Sequence, residues 1–426
     1  MKLNYKRTFF VGLAFLSISA FWQLYDNLIP LMLKNTFGLG DTLTGTVMAL
    51  DNVLALFLLP IFGALSDKVH TKRGKRTPFI VVGTGFAVVI MMIIPLANQS
   101  KNFVLFFVAL GAALIAMGTY RSPAVALMPD LTPKPLRSKA NAIINLMGAV
   151  GSIYALAMIS LLIPKVESPN YTLVYATVAG LMVFAVVMLL VTIRENEMRE
   201  ENQSVDQEEE EEVGSKEPNG GDMAPEVKRS LYFILASIFL WFTAYNAVTT
   251  AFSRYATTVW DLQGGSFANA LMVAMGAAII SFLPVGIIST KIGRKKMILV
   301  GITLMTLSYF AGFFFVEYSP LINLVFVFTG VGWASINVNS YPMVVEMSKS
   351  ADVGKYTGLY YTFSMAAQIF TPIFSGFLLE NISYRTLFPY AVVFSIFSFC
   401  TMLMVKHGDA KPKPKKSALE HFDVDD

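Results

Sequence analysis

Apolar runs separated by short polar turns recur along the whole chain, and about twelve of them approach the twenty residues that a bilayer demands of a helix. They fall roughly at 8–33, 43–66, 78–97, 102–127, 139–164 and 172–193, and again at 230–256, 264–289, 296–316, 320–346, 355–380 and 386–406. The runs do not alternate apolar and polar positions, so a closed barrel of strands is excluded. Helices, which satisfy their own backbone polar groups, remain. The pattern breaks once: Arg194 to Arg229 is polar, with an acidic block from Glu208 to Glu212 and a loose stretch from Gly214 to Pro225. Such a composition cannot bury a core. The expected organisation is a six-helix bundle over 1–193, a disordered linker over 194–229, a second six-helix bundle over 230–406 and a tail over 407–426.

Composition agrees with an all-α protein of twelve transmembrane helices. Hydrophobic residues make up 55% and charged residues 15%, and the mean hydropathy is +0.57, far too apolar for a soluble domain of this length. Cys400 is the only cysteine, so no disulfide and no cysteine metal site can form within one chain. The net charge of +4 sits almost wholly in short turns, which points to the bilayer and not to nucleic acid. Lys2, Lys6 and Arg7 precede the first span, and Lys68 to Arg76, Lys134 to Lys139, Lys291 to Lys296, and Lys349 with Lys355 fill alternate turns. The opposite turns carry little charge. The expectation is a multi-pass protein of the cell membrane with both termini cytoplasmic and, with no small-residue cleavage site after it, a first span that is retained.

The two halves repeat one another. Gly63-Ala64-Leu65-Ser66-Asp67 with Gly74-Lys75-Arg76 after the second span is echoed by Ser289 to Lys296 after the eighth. Asp130 and Lys139 bracket the turn after the fourth span, and Glu346 and Lys355, at the same spacing, the turn after the tenth. Tyr25-Asp26 in the first span matches Tyr245-Asn246 in the seventh, each preceded by an aromatic four residues earlier. Three matches in register argue for duplication.

These features resemble the major facilitator superfamily of two-bundle transporters. The turn from Gly63 to Arg76, Pro78-Phe79-Ile80, and Ala126-Leu127-Met128-Pro129-Asp130 followed by Ser138-Lys139-Ala140-Asn141-Ala142 are similar to the sucrose-transporter-like branch, related to the glycoside-pentoside-hexuronide cation symporters. The resemblance implies two pseudo-symmetric bundles and cation-coupled sugar transport by alternating access. It also marks departures. The acids that melibiose-type sodium symporters carry before Pro60-Ile61-Phe62-Gly63 are replaced by Ala55 and Leu59, and the nearest acid, Asp51, lies further along the span. The acid that plant sucrose carriers hold within the fourth span is missing from Phe103 to Gly118; their arginine before the turn is Val125 here, with Arg121 one helical turn earlier.

Asp51 lies roughly 13 Å into its span at 1.5 Å per residue, close to the bilayer middle. A lone intramembrane carboxylate marks a pathway or a partner. Arg121 is the cation well inside the first-half spans, so Asp51 and Arg121 are the proton-coupling pair expected, with Asp51 pairing alternately with a proton and with Arg121. Asp51 and Asn52 alone are too few oxygen ligands for sodium. For the cargo, sugars ask for aromatic faces and for amide or carboxylate partners. Trp22, Gln23, Tyr25, Asp26 and Asn27 form the densest such group, Tyr245 and Asn246 its counterpart, and Asn337, Asn339, Trp333, Tyr360, Tyr361 and Gln368 could complete a central cleft. In the turns, Asp67 can pair with Arg73, Lys75 or Arg76 while Gly63 lets helices approach, and Gly63, Asp67, Arg73, Arg76, Asp130, Lys139, Glu346 and Lys355 are the expected gate.

A membrane enzyme would need a catalytic constellation, and His70, His407 and His421 all fall in turns or tails. The chain therefore reads as a monomeric proton-coupled symporter of a sucrose- or maltose-like sugar with no cofactor and no metal site. An exporter of another small molecule by drug/proton antiport and a non-transporting sensor of the same fold are the alternatives; the polar first-span cluster favours hydroxyl-rich cargo.

Overall fold

In the computed structural model, which describes residues 3–133, 136–166, 168–200, 224–347 and 353–408, every one of these apolar runs closes into a helix. We number them α1 (Tyr5–Asn35), α2 (Asp41–Lys68), α3 (Thr77–Gln99), α4 (Phe103–Asp130), α5 (Arg137–Leu162), α6 (Thr172–Thr192), α7 (Pro225–Val259), α8 (Ala268–Ile292), α9 (Arg294–Phe313), α10 (Ile322–Glu346), α11 (Val353–Asn381) and α12 (Leu387–Leu403). Among the described residues these are the twelve helices long and apolar enough to cross a membrane. Local chemistry sets their starts. The Asn4 side chain accepts from the Arg7 amide at 3.1 Å, Asn102 does the same for Leu105 at 3.0 Å, and prolines open α3 and α7, where a missing N–H costs nothing. The acidic block, the tail run Lys411 to Lys416, and Lys134 and Lys349 lie outside the described residues.

Contacts divide the chain into two units. Unit 1 takes most of the first half with Gln263–Ser266, and unit 2 takes most of the second half with Leu39–Ala49. The first nine residues of α2 thus belong to unit 2, whereas its remainder belongs to unit 1. Within unit 1, α1 packs on α5 and α6, and α3 on α4 and α6; within unit 2, α7 packs on α11 and α12, and α9 on α10 and α12. These four pairings are the same six places on, so the repeat seen in the turns is also a repeat of packing.

Candidate functional site

In unit 1 the mid-membrane polar groups of α1, α2 and α4 converge. The guanidinium of Arg121 lies over the Trp22 ring, 5.4 Å from its centroid, and Trp22 meets Tyr25 edge-on at 5.4 Å. Asp26 and Asp51 each feel the charge of Arg121, and Asp26 that of Asp51. Of the two pairings expected of Asp51, alternately with a proton and with Arg121, the one with Arg121 is not made in this state among the described residues. Asp51 instead accepts from the Asn52 side chain at 2.7 Å, while Arg121 rests on the electron-rich face of Trp22, which holds a cation without a carboxylate. Trp22, Asp51, Leu58, Leu114, Gly118 and Arg121 line a cavity of about 10 Å³, room for one water-sized molecule and far too little for a sugar. Of the rest of the first-span cluster, Asn27 is buried, its amide nitrogen donating to the main chain and side chain of Gln23 at 3.0 and 3.2 Å. Asp26 is half-buried with no hydrogen-bond partner among the described residues, and the Trp22 indole nitrogen is also unpartnered.

Unit 2 answers with rings. Tyr245 and Trp333 stack face to face, 3.7 Å apart and within 2° of parallel. Phe242 closes on Trp333 edge-on at 5.3 Å, and Tyr341, Tyr360 and Tyr361 continue the cluster. Beside Tyr245, the Asn246 amide nitrogen is buried and without a hydrogen-bond partner among the described residues. Asn337 is buried and without a hydrogen bond among the described residues, and Gln368 is half-buried. Asn339 is buried, its amide nitrogen donating to the Ser335 carbonyl at 2.9 Å.

The turn between α2 and α3 is a closed charge cluster. Arg76, 5% exposed, donates to Asp67 at 2.5 Å and to Asp130 at 2.9 Å, with Lys75 at 3.3 and 3.1 Å from the same two acids. Arg73, also expected against Asp67, is exposed and has no acidic partner among the described residues. Gly63 does let α2 and α4 approach: a Cβ there would stand 2.9 Å from the Ser122 hydroxyl. In unit 2 the equivalent pair is Arg294–Glu346, from the start of α9 to the end of α10. The side chains of Lys139 and Lys355 lie outside the described residues.

Two groups escaped the sequence reading. Glu195, just beyond α6 and 1% exposed, accepts from the amides of Lys75, Arg76 and Thr77 at 2.8, 2.9 and 2.8 Å and from the Thr77 hydroxyl at 2.8 Å. It caps α3 and frames the cluster. Arg254, fully buried near the end of α7, pairs with Asp41 at 2.7 Å, and the Tyr384 hydroxyl donates to the same carboxylate. Glu380 holds the Thr42 amide at 2.8 Å. The signal available was an arginine inside the seventh run with an acid at the start of the second.

Comparison with known proteins follows the geometry. A family model described as MFS/sugar transport protein matches residues 10–405. The chain is similar to an MFS-type transporter of Methanocaldococcus jannaschii, 23% identical with 89% of each chain covered. It is also similar to the sucrose transport protein SUC3 of Arabidopsis thaliana, 26% identical over 31% of this chain and 25% of that one. The chain thus aligns with only a quarter of the sucrose transporter's length. Among solved structures, the nucleoside transporter NupG superposes with a TM-score of 0.70 at 14% identity, covering 95% of this chain and 100% of that one. The xylose transporter XylE from E. coli superposes at 0.65 and 14% identity, covering 98% of each. These likenesses are of fold.

Proposed function

The chain belongs to the MFS/sugar transport protein family, and from that premise we propose that this multi-pass membrane transporter moves a sugar or glycoside together with a proton by alternating access. The observation that carries the reading is the pair of polar-aromatic half-sites at equivalent places, Trp22, Tyr25 and Asp26 in unit 1 and Tyr245, Asn246 and Trp333 in unit 2. Rings offer faces to the C–H side of a sugar, while an unpartnered carboxylate and amide offer acceptors and donors to its hydroxyls. The sucrose transport protein among the similar proteins supports the same cargo class.

Proton coupling rests on charge arithmetic. Two carboxylates, Asp26 and Asp51, face one guanidinium, Arg121, within electrostatic range. One negative charge is left over, and in a low-dielectric site it is costly unless a cation joins it. A cavity of about 10 Å³ with oxygen ligands from Asp51 alone suits a proton better than a sodium ion. The paired charges of Arg76 with Asp67 and Asp130, and of Arg294 with Glu346, serve as gate contacts in this scheme. One chain suffices for transport, with both termini in the cytoplasm and the protein in the cell membrane, as the basic turns imply.

The test is uptake by proteoliposomes. A pH gradient should drive accumulation of a disaccharide, and Asp51→Asn should abolish accumulation while leaving exchange down the gradient. Trp22→Ala and Trp333→Ala should each weaken sugar binding by about 1 kcal/mol or more in titration calorimetry. Accumulation that ignores the pH gradient would sink proton coupling. Unchanged affinity in both tryptophan variants would sink the half-sites.

A further inference from the structure

Apart from the polar site, unit 1 holds a second cavity of about 560 Å³, cut between α2, α3 and α4. Its walls are apolar: Phe62, Phe79, Phe86, Ile90 and Ile115 dominate. The hydroxyl of Thr119, the polar side chain among the lining residues, is already bound to the Ala116 carbonyl at 2.6 Å. Nothing here would hold a sugar. The rim residues Val82, Phe86 and Ile115 are 56%, 62% and 48% exposed, and they belong to the hydrophobic faces that spans of this length turn to lipid.

The lining includes Val69 and Pro78, which border the basic turn. Five cations flank this turn, and they divide into two sets. Lys75 and Arg76 are taken by Asp67 and Asp130. Lys68, Lys72 and Arg73 are exposed and have no acidic partner among the described residues. Of the acids that follow α6, Glu195 is committed to the α3 amides and Glu197 pairs with Arg194 at 3.2 Å. Three exposed positive charges with no acidic partner among the described residues therefore lie in or beside the turn between the lining residues Val69 and Pro78.

We propose that the groove between α2, α3 and α4, with Lys68, Lys72 and Arg73 at the turn bordering it, binds one anionic glycerophospholipid, an acyl chain in the groove and the headgroup on the cations. A zwitterionic lipid brings its own ammonium and leaves the excess positive charge unmatched. An anionic one brings a net negative charge to them, and pairing it with one basic residue near the surface is worth about 1 kcal/mol or fivefold. The geometry also fixes depth, because Phe86 lies roughly 13 Å along α3 from its first residue at 1.5 Å per residue, level with the middle of an acyl chain.

The full-length protein carrying Phe86→Trp, in phosphatidylcholine nanodiscs, tests this by fluorescence quenching against the same protein without that substitution. Phosphatidylglycerol brominated at mid-chain should quench the introduced tryptophan at about one-fifth the mole fraction that brominated phosphatidylcholine needs. Adding Lys68→Gln, Lys72→Gln and Arg73→Gln together should bring the two lipids level. Adding Ala112→Phe, which fills the groove and leaves the charges, should reduce quenching by both lipids equally. Equal quenching by the two lipids in Phe86→Trp, or a preference that survives loss of the three cations, would overturn the proposal. So would displacement of the brominated lipid by millimolar glycerol phosphate, since the headgroup alone would then be the ligand.

Discussion

Gly74 stands where any side chain would collide. Its φ is +117°, and a Cβ would sit 2.0 Å from the Glu195 carboxylate, the group that receives the first amides of α3. Gly74→Ala should therefore cost about 1 to 3 kcal/mol from backbone strain, and more if Glu195 is pushed off its three amides. Thermal unfolding in detergent should show the fall, and Glu195→Gln should also fall, because one of the two acceptor oxygens becomes an amide nitrogen that faces donors. An unchanged melting temperature for Gly74→Ala would show that the turn yields without cost. The glycine was legible in the sequence as part of the turn motif. Glu195 was not: it lies at the head of a polar stretch whose composition signals a linker, and a buried helix cap differs from a solvated glutamate only in what surrounds it.

The twelve helices were legible because an apolar run of twenty residues has one stable answer in lipid, and expected and observed spans differ by a few residues at their ends. What the runs do not encode is which charged end finds which. Asp41 opens α2 and reads as a surface charge in a sparsely charged turn, yet it is buried against Arg254 of α7. Likewise, Asp51 and Arg121 share a cavity without touching, because Trp22 of α1 takes the guanidinium face. For the Asp41–Arg254 pair, breaking one side should cost about 3 to 5 kcal/mol, whereas replacing both by apolar residues returns most of it. Asp41→Leu should thus unfold at clearly lower temperature than the parent, and Asp41→Leu with Arg254→Met should recover. Additive losses in this cycle would mean that the two side chains are not coupled.

At the scale of the molecule, duplication was legible in two matching turns and one matching pair inside the spans, and it reappears as matching helix pairs in the two units and as Arg76–Asp130 answered by Arg294–Glu346. The orientation proposed from the basic turns is testable in whole cells of a Cys400→Ser background. An impermeant maleimide should label Ser100→Cys from outside and leave Lys72→Cys untouched until the cells are opened; equal labelling would reverse or abolish the assignment. The division of α2 between the units bears on how the chain is made. Asp41 precedes Arg254 by 213 residues, so at a synthesis rate of about 5 to 20 residues per second its carboxylate waits roughly 10 to 40 s for its partner. During that interval the nascent helix begins with an unmatched charge, and the start of α2 takes its final place only after α7 has left the ribosome.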